Sequence, residues 1–444
     1  MVKGKMVVTV ASLLVVYLPC LLLAAEGNLD ISFNPPNGYV LFNGWNRDAY
    51  IGTAIQRDGK IVVSGGIDGA TDSDAVVLRY TSAGTPDINF GVNGVAAYDG
   101  GSGDDCGRLL ALQEDGRIVV TGYTHNGTTA DVLIMRYNSD GTRDRTFGID
   151  GVVTYDSGGR DDYGRAVGIQ TDNKIVVAAR STGDSTSVAL LLRYNEDGTP
   201  DPAFGTNGTV TYEGGYGNDG FRGVAIQADG KIVVAGYTKT SVDFDVLTMR
   251  YHIDGNVDRR FGTDGIAVFD GGHGDDGAHG VVLQTDGKIV VSGGIYNGTD
   301  LDILVLRYNR NGLPDTPFAV NGVAVYDSGR GNDYGRRSAV QSNGRIIVTG
   351  RSYNGTDYDL LALRYHGDGT LDYGFGSSGV VTLSIGEGNA YGEAVVIQPD
   401  DDMVISGGTY NGTDSHIMTL RLIGSGGNGA SNGGCFIDTA ANGP

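Results

Sequence analysis

The sequence predicts an all-β fold, a seven-bladed β-propeller whose blades are four-stranded antiparallel sheets. Three observations support this prediction. A pattern of 57 residues recurs seven times along the chain. Each repeat contains short β-branched or aliphatic runs separated by Asp-Gly and Asn-Gly turns, and no stretch shows the sustained period that an amphipathic helix needs. The part that the last repeat lacks is found near the N-terminus.

The repeat keeps a strict register, with no insertion in its shared core. An apolar residue follows each Gly-Lys-type turn at the same constant interval, from Ile61 to Met403. A regular period of this length indicates a repeat architecture in which neighbouring units share a core. A phenylalanine and a glutamine also recur at this interval. The phenylalanines are Phe33, Phe90, Phe147, Phe204, Phe261, Phe318 and Phe375, and the glutamines are Gln56, Gln113, Gln170, Gln227, Gln284, Gln341 and Gln398.

The second unit illustrates the four strands of one blade. Residues 107–113 are predicted to form its innermost strand, and an Asp-Gly turn joins them to a second strand at 117–123. An Asn-Gly turn leads to a third strand at 131–137, and a longer loop precedes a fourth at 152–155. Four antiparallel strands in each of seven units are typical of propeller blades, whereas the coils of a β-helix are shorter.

The two ends of the repeat region predict that the ring is closed. The seventh unit ends after its third strand, at 416–422. The Leu-Asp-x-x-Phe element and the fourth strand that it lacks occur at 29–33 and 39–42 instead. One blade is therefore predicted to be completed by both termini, which removes the free sheet edges of an open array. An open solenoid would carry polar capping repeats. The predicted propeller covers residues 26–423.

Glycine and acidic residues dominate the composition. Of the 444 residues 75 are glycine, and 53 Asp and Glu against 32 Lys and Arg give a net charge of −21. Nucleic acids and anionic membranes are recognised by basic surfaces, so nucleic acid is excluded as a partner. An acidic surface favours solubility, a bound cation or a basic partner. We expect the protein to be a monomer.

Both ends of the chain differ from the repeats. Lys3 and Lys5 precede an apolar run that ends at Ala24-Ala25, so residues 1–25 are predicted to be a signal peptide. The mature protein is then exported, secreted or held at the cell surface, and has no membrane span of its own. A retained membrane anchor is the alternative. Residues 424–444 are predicted to be a flexible glycine-rich tail.

The repeat resembles the delta-60 repeat of exported bacterial proteins. That pattern reads L-D-x-x-F-G-x-x-G-x-V followed by A-I-Q-x-D-G-K-I-V-V-A-G, and residues 200–210 and 224–236 carry it here. The resemblance covers about residues 29–422 and implies a propeller-like fold, a bacterial exported protein and no particular activity. The end of the tail, from Cys435, resembles the start of the C-terminal CFI box of such proteins, with Asp438 and Asn442 departing from its pattern.

Residues that recur in every unit are assigned to the scaffold. Each unit has an arginine in its third strand and an aspartate in its Leu-Asp-x-x-Phe element or the equivalent. Because a partly buried guanidinium needs a partner, these arginines are predicted to pair with these aspartates. The arginines are Arg79, Arg136, Arg193, Arg250, Arg307, Arg364 and Arg421, and the aspartates are Asp30, Asp87, Asp144, Asp201, Asp258, Asp315 and Asp372.

A second aspartate recurs just before the innermost strand. Carboxylates at this position could form an acidic ring around the mouth of the central channel. Calcium is the cation that such carboxylates and backbone carbonyls would hold, and no other cofactor is indicated. The alternative is that each carboxylate ties down a glycine-rich turn. The candidate metal ligands are Asp105, Asp162, Asp219, Asp276 and Asp333, with Asp48 in the first unit.

The units differ most on one predicted face of the ring. In an antiparallel meander, the loops from the fourth strand to the next first strand share a face with the loops between the second and third strands. We call this the variable face. It is rich in Tyr and Arg, which are common where proteins bind glycans or other proteins. The alternative is that these tyrosines are ordinary exposed side chains that bind no ligand. The candidate ligand-binding residues are Trp45, Tyr123, Arg180, Tyr237, Tyr296, Arg351, Tyr353 and Tyr410.

No catalytic residue is assigned from the sequence. The six histidines are spread over four units, and no nucleophile elbow, zinc motif or phosphate-binding glycine loop occurs in a fitting context. The sequence favours a binding or scaffold module that uses the variable face for a polysaccharide or a protein. A carbohydrate- or ester-active enzyme with carboxylates at the channel mouth is the alternative.

Overall fold

The protein is a ring of seven small β-sheets. The computed structural model describes residues 25–44, 50–69, 71–386 and 388–424. These residues form 28 strands and no helix, and the strands group into seven four-stranded antiparallel sheets. Each sheet is one blade, and the blades are numbered 1 to 7 along the chain. The predicted all-β, seven-bladed propeller is thereby confirmed.

The N-terminal strand and the first three blades are as follows. The first strand of the described residues is β1 (Tyr39–Asn43). Blade 1 comprises β2 (Gly52–Ile55), β3 (Ile61–Asp68), β4 (Ser73–Tyr80) and β5 (Val95–Tyr98). Blade 2 comprises β6 (Asp105–Leu112), β7 (Ile118–His125), β8 (Ala130–Tyr137) and β9 (Val152–Tyr155). Blade 3 comprises β10 (Asp161–Ile169), β11 (Ile175–Thr182), β12 (Ser187–Tyr194) and β13 (Thr209–Tyr212).

The remaining blades repeat this plan. Blade 4 comprises β14 (Gly220–Ile226), β15 (Ile232–Lys239), β16 (Phe244–Tyr251) and β17 (Ile266–Phe269). Blade 5 comprises β18 (Gly277–Leu283), β19 (Ile289–Tyr296), β20 (Leu301–Tyr308) and β21 (Val323–Tyr326). Blade 6 comprises β22 (Asp333–Val340), β23 (Ile346–Tyr353), β24 (Tyr358–Tyr365) and β25 (Val380–Leu383). Blade 7 comprises β26 (Asn389–Ile397), β27 (Met403–Tyr410), β28 (Ser415–Leu422) and β1.

The ring closes through blade 7, as predicted. Strand β1 pairs antiparallel with β28, with Leu41 opposite Met418. Asp30 accepts a hydrogen bond from Nε of Arg421 at 2.6 Å, so the ion pair joins the two ends of the repeat region. The outermost strand of this blade therefore comes from the N-terminal side of the chain and its other three strands from the C-terminal side.

Neighbouring blades are joined by a repeated arginine clamp. In blade 2, Arg136 Nε donates to Asp144 Oδ2 at 2.8 Å, and its guanidinium carbon lies 4.6 Å from the centre of the Phe147 ring. The same guanidinium donates to the backbone carbonyl of Glu196 in blade 3. All seven predicted Arg–Asp pairs form, with Nε–Oδ2 distances of 2.6–2.9 Å.

Apolar packing between blades completes the core. The second and third strands supply most of the buried aliphatic side chains, and each hydrophobic cluster combines residues of adjacent blades. The phenylalanine of every repeat is fully buried beside its clamp. The described segments contain no helix that is long and apolar enough to cross a membrane.

The innermost strands surround the ring axis, and those of blades 2 to 7 each contain a β-bulge. In blade 4 the pairing with β15 shifts between Phe221 and Gly223, so that Arg222 has no partner residue across the ladder. At the bulge, the backbone of the innermost strand lies very close to the backbone of the second strand. A Cβ atom on Gly236 would lie 1.9 Å from the carbonyl oxygen of Gly220, which explains glycine at this position.

Candidate functional site

The bulges put a charged side chain from most blades into the central channel. An extra residue in one strand is left out of the ladder and its side chain is redirected, which is why bulges are common beside functional sites. The equivalent positions, one repeat apart in the seven blades, hold Ile51, Arg108, Arg165, Arg222, His279, Arg336 and Glu393. Arg337 adds a further guanidinium, since the bulge of blade 6, like that of blade 2, leaves two residues out of the ladder. The channel is therefore basic in a protein of net charge −21.

His279 lies between two of these arginines. Its Nε2 is 3.0 Å from Arg222 Nη1, and its Nδ1 is 3.1 Å from Arg336 Nη1. Burial and the nearby guanidinium groups lower the pKa of His279 well below its ordinary value, so the imidazole is neutral at pH 7. A neutral imidazole has one acceptor nitrogen and can accept from only one of the two arginines. Arg336 Nε is also 3.3 Å from Glu393 Oε1.

Tyr50 lies at the centre of the arginine group. Its ring centre is 5.3 Å from the guanidinium carbons of Arg108 and Arg165 and 5.4 Å from that of Arg336. Burial raises the pKa of Tyr50, but the charges of Arg336, Arg165 and Arg222 outweigh burial and lower this pKa to about 7. The channel thus favours negative charge strongly enough to ionise a phenol near neutral pH.

The channel arginines also affect one another. Burial lowers the pKa of Arg165 well below its ordinary value, and the charges of Arg108, Arg180 and Arg222 lower it further. Burial likewise lowers the pKa of Arg337 to about 10. In the described part of the chain, Glu393 is the one carboxylate at the bulge positions, against four arginines and Arg337. The group is therefore short of negative charge.

Two clusters of tyrosine and arginine extend from the channel to the variable face. The first spans blades 2 to 4. Tyr123 packs edge-to-face on Tyr163, with ring centres 5.3 Å apart, and the Arg108 guanidinium lies 4.9 Å from the Tyr123 ring. Arg180 donates to the Tyr237 hydroxyl at 3.0 Å. Three of the predicted binding residues, Tyr123, Arg180 and Tyr237, are thus brought into one cluster that continues into the channel.

The second cluster spans blades 6 and 7. The Arg351 guanidinium lies 4.2 Å from the Tyr334 ring and 4.8 Å from those of Tyr358 and Tyr391. Tyr353 packs on Tyr358 with ring centres 5.4 Å apart. Two more predicted binding residues, Arg351 and Tyr353, therefore belong to this cluster. Tyr334 and Tyr391 lie two positions before the channel residues of their strands, and Tyr334 interacts electrostatically with Arg336.

Glycine separates the two clusters. The positions equivalent to Tyr163 and Arg180 are Gly277 and Gly294 in blade 5, and Gly66 takes the second of these positions in blade 1. The remaining predicted binding residues lie apart from both clusters. Tyr296 is half-buried and its backbone N–H donates to Asp276, while the Tyr410 hydroxyl donates to the backbone carbonyl of Gly412. Trp45 lies outside the described residues.

Several guanidinium groups in these clusters have unused donors. The Nε–H groups of Arg108, Arg180 and Arg351 are buried, and no described residue accepts a hydrogen bond from them. A buried donor without an acceptor costs free energy, more so when it is charged. Donors of this kind, around a channel with excess positive charge, suit an anionic ligand.

The predicted metal ligands are buried at the ends of the glycine-rich loops. Each accepts a hydrogen bond from a backbone N–H five residues earlier, for example Asp162 from Ser157 at 2.6 Å and Asp333 from Ser328 at 2.7 Å. Burial raises the pKa of both. The complete set is Asp105, Asp162, Asp219, Asp276 and Asp333. Asp48 lies outside the described residues.

Sequence reasoning missed the channel residues. It concentrated on positions that are identical in all units or that lie at the ends of the second strands. The signal that could have found them is the comparison of units at the repeat interval, because one position inside an otherwise apolar innermost strand is charged in five of the seven units and holds histidine in a sixth. The bulge that aims these side chains inward also leaves a signal, because an isolated glycine inside a predicted strand, such as Gly236, marks a bulge or a close backbone approach.

Six segments of the chain match the model of a family described as a domain of unknown function (DUF5122) beta-propeller. The matched segments are residues 56–90, 113–147, 170–204, 227–261, 284–318 and 341–375. No functionally curated protein matches the chain.

Solved structures with a similar arrangement include enzymes and an extracellular protein. An ulvan lyase of polysaccharide lyase family PL25, bound to -[GlcA(1-4)Rha3S]-, is 14% identical with a TM-score of 0.48, over 87% of this chain and 95% of its own. The PQQ-bound aldose sugar dehydrogenase of Streptomyces coelicolor is 12% identical with a TM-score of 0.42, over 87% and 99%. Extracellular domains 1–2 of Drosophila semaphorin 1b are 11% identical with a TM-score of 0.45, over 86% of both chains.

The family match and the blades agree in period. Consecutive matched segments begin one repeat apart, and each contains the second strand, the third strand and the clamp of one blade. Together, the six matched segments and the seven four-stranded sheets identify the chain as a β-propeller repeat protein.

Proposed function

We propose that the protein is an exported binding module that holds an acidic polysaccharide across the channel mouth on the variable face. The observation that carries this proposal is the convergence of Arg108, Arg165 and Arg336 around Tyr50. Carboxylate or sulfate groups of the ligand would enter the channel and accept hydrogen bonds from these guanidinium groups. Fixed, planar guanidinium donors suit such anions better than flexible ammonium groups.

A polysaccharide fits the arrangement beyond the channel. Tyrosine rings offer apolar faces and polar edges, which suits sugar rings. The two tyrosine–arginine clusters lie in blades 2 to 4 and in blades 6 and 7, and glycine occupies the intervening positions Gly294 and Gly66. A linear polysaccharide could therefore lie across the channel mouth, with one end on the first cluster and the other end on the second. The unused Nε–H donors of Arg180 and Arg351 lie in the clusters and would serve acidic groups of the ligand.

Binding is tested by affinity measurements with charged and neutral polysaccharides. We expect polygalacturonate and heparin to bind and dextran not to bind, with affinity that falls as salt screens the charges. Arg222→Gln and Arg351→Gln should each weaken binding at least tenfold. Arg57→Gln is the matched control, because Arg57 is an exposed arginine on the opposite face, where its one ion pair among the described residues is with Glu114.

Equal binding of dextran, or unchanged affinity in both channel-side variants, would contradict the proposal. If the acidic polysaccharides fail to bind while an acidic protein is retained in a salt-dependent way, the partner is a protein instead.

An enzyme acting on the same ligand is the second candidate, and the lowered pKa of Tyr50 favours it. An ionised Tyr50 could remove the proton next to a uronate carboxyl group while arginines stabilise the negative charge that develops there. The phenol would then return the proton to the departing glycosidic oxygen, leaving a carbon–carbon double bond. Ultraviolet absorbance of the unsaturated product distinguishes this enzyme from a binding module, and Tyr50→Phe should abolish it.

A further inference from the structure

Two sets of three aspartates converge near the variable face, at the same positions in blades 4 and 5. The blade 4 set consists of Asp245 and Asp270 of that blade and of Asp276, which directly precedes the first strand of blade 5. The blade 5 set consists of Asp302 and Asp327 of that blade and of Asp333, the first residue of blade 6. In each set one carboxylate oxygen from every residue lies within 4.8 Å of the others. The members come from the third strand, from the residue after the fourth strand, and from the residue before or at the start of the next innermost strand. Two of the predicted metal ligands, Asp276 and Asp333, belong to these sets.

Each set contains a buried carboxylate oxygen that accepts no hydrogen bond. Asp245 is 4% exposed and Asp302 is 3% exposed, and Oδ1 of each has no donor among the described residues. Asn297 Nδ2 donates to Asp302 Oδ2 at 2.9 Å and leaves Oδ1 unused. An unpartnered buried carboxylate oxygen is costly, and a bound cation would satisfy it.

The charges that face these residues are nearly all negative. Asp245 meets Asp243, Asp270 and Asp276, and Lys239 opposes them with a weaker effect. Burial first, and then these carboxylates, raise the pKa of Asp245 to about 6. Asp302 meets Asp300, Asp327 and Asp333, and burial together with these charges raises its pKa to about 6 as well.

We propose that each set of three aspartates binds one divalent cation, and that the cation is calcium. In each set one carboxylate on a third strand and two at the ends of a glycine-rich loop supply the hard oxygen ligands that calcium takes, and water can complete the six to eight positions of its coordination shell. Magnesium demands stricter octahedral geometry, which carboxylates held partly by a glycine-rich loop are less suited to impose.

The other blades explain why two sites are expected in the described part of the chain. In blade 3 the position of Asp245 holds Val188, and in blade 6 Ser384 and Ala390 replace two of the three aspartates. In blade 2 the equivalent Asp131 accepts from Asn126 Nδ2 with both of its oxygens. Neither blade 1 nor blade 2 brings its three carboxylates as close together as blades 4 and 5 do.

Calorimetric titration of the metal-free full-length protein with calcium chloride tests the proposal. We expect two calcium ions per chain, and one after either Asp245→Asn or Asp302→Asn, with at least a tenfold loss of affinity at the altered site. Both substitutions keep the side-chain shape and remove charge repulsion, so the fold should be retained. Asp359→Asn is the matched control, because Asp359 occupies the same position in blade 6 and accepts from Ser384 at 2.5 Å.

The proposal is overturned if no calcium binds, or if the Asp245→Asn/Asp302→Asn double variant still binds two ions. An unchanged titration in the Asp359→Asn control is expected, and a loss there equal to that of Asp245→Asn would also contradict the assignment. The titration contains no polysaccharide, so its outcome is independent of the function proposed above.

Discussion

At the scale of single residues, the arginines at the centre of the ring have fewer neutralising partners among the described residues than the scaffold arginines have. Each scaffold arginine contacts its own carboxylate, aromatic ring and carbonyl oxygen. The channel arginines share Glu393 and Tyr50 as partners that can be negatively charged, and the histidine among them is neutral. Like charges in a confined space reduce stability, and sites that reduce stability in this way are often functional. Arg165 is the clearest example, since no carboxylate in the described residues lies within 4.0 Å of its guanidinium.

Arg165→Gln should therefore stabilise the fold while it weakens the binding of anions. Removing one of several crowded positive charges relieves repulsion, and we expect a gain of about 0.5 to 2 kcal/mol in the free energy of unfolding. Thermal denaturation at low salt measures this, with Arg57→Gln as the neutral control on the opposite face. A lower melting temperature in Arg165→Gln, without added ligand, would contradict the interpretation of the channel as an unneutralised cationic site.

Tyr50 should ionise near pH 7, far below an ordinary tyrosine. Difference absorbance of the phenolate, followed from pH 5 to 9, should show one tyrosine that titrates at a pH of about 7 and that is missing in Tyr50→Phe. Because its pKa is lowered in the folded state, this group contributes stability that is fully present above its unfolded pKa and is lost as the pH falls through about 7. The stability difference between wild type and Tyr50→Phe should accordingly grow from pH 7 to 10, and a constant difference would be evidence against it.

At the scale of elements, the repeated clamp accounts for much of what the sequence predicts correctly. An arginine and an aspartate that recur at a fixed interval in every unit are candidates to pair with one another, and the structure pairs all seven. The clamp also joins blades, because each guanidinium reaches a backbone carbonyl of the next blade. The channel residues escaped prediction for the opposite reason: they differ from unit to unit, and a bulge breaks the alternation from which their direction would be read.

Asp144→Ala should be among the most destabilising single substitutions in the chain. It would leave Arg136, which is 1% exposed, without its carboxylate, and breaking a buried pair in this way costs about 3 to 5 kcal/mol. Asp150→Asn is the matched control in the same loop, because Asp150 has a φ of 52°, which asparagine tolerates better than alanine does. Its side chain is 46% exposed and pairs with Arg143 and Arg145 on the surface, so we expect a change of no more than about 0.5 kcal/mol. Similar melting temperatures for the two variants would rule out a major contribution of the clamp.

At the scale of the whole molecule, the structure shows where the many glycines and the negative charge of the sequence lie. The glycines serve the turns and the loops that carry the buried aspartates, and the repeat length follows from four short strands per blade. The negative charge is concentrated in the loops, including the aspartates of blades 4 and 5 on the variable face, while the channel enclosed by the same loops is basic. An anionic ligand would have to pass the acidic loops to reach the arginines. Cations bound at the two sets of aspartates would reduce that repulsion, which connects the two proposals without making either depend on the other.

Closure of the ring should contribute strongly to stability, because β1 covers what would otherwise be the exposed edge of β28. A chain that begins at Gly44, and so lacks β1 and Asp30, should melt at least about 5 °C below the chain that begins at Ala25, since a few kcal/mol of stability are worth several degrees. It should also form concentration-dependent oligomers through the free edge.

Asp30→Asn is the control that keeps β1 and removes only the ion pair with Arg421, and it should have the smaller effect. An excess of a peptide spanning residues 25–44 should restore both the melting temperature and the monomer. If the shortened chain melts like the longer one and stays monomeric without the peptide, β1 does not act as the closing strand.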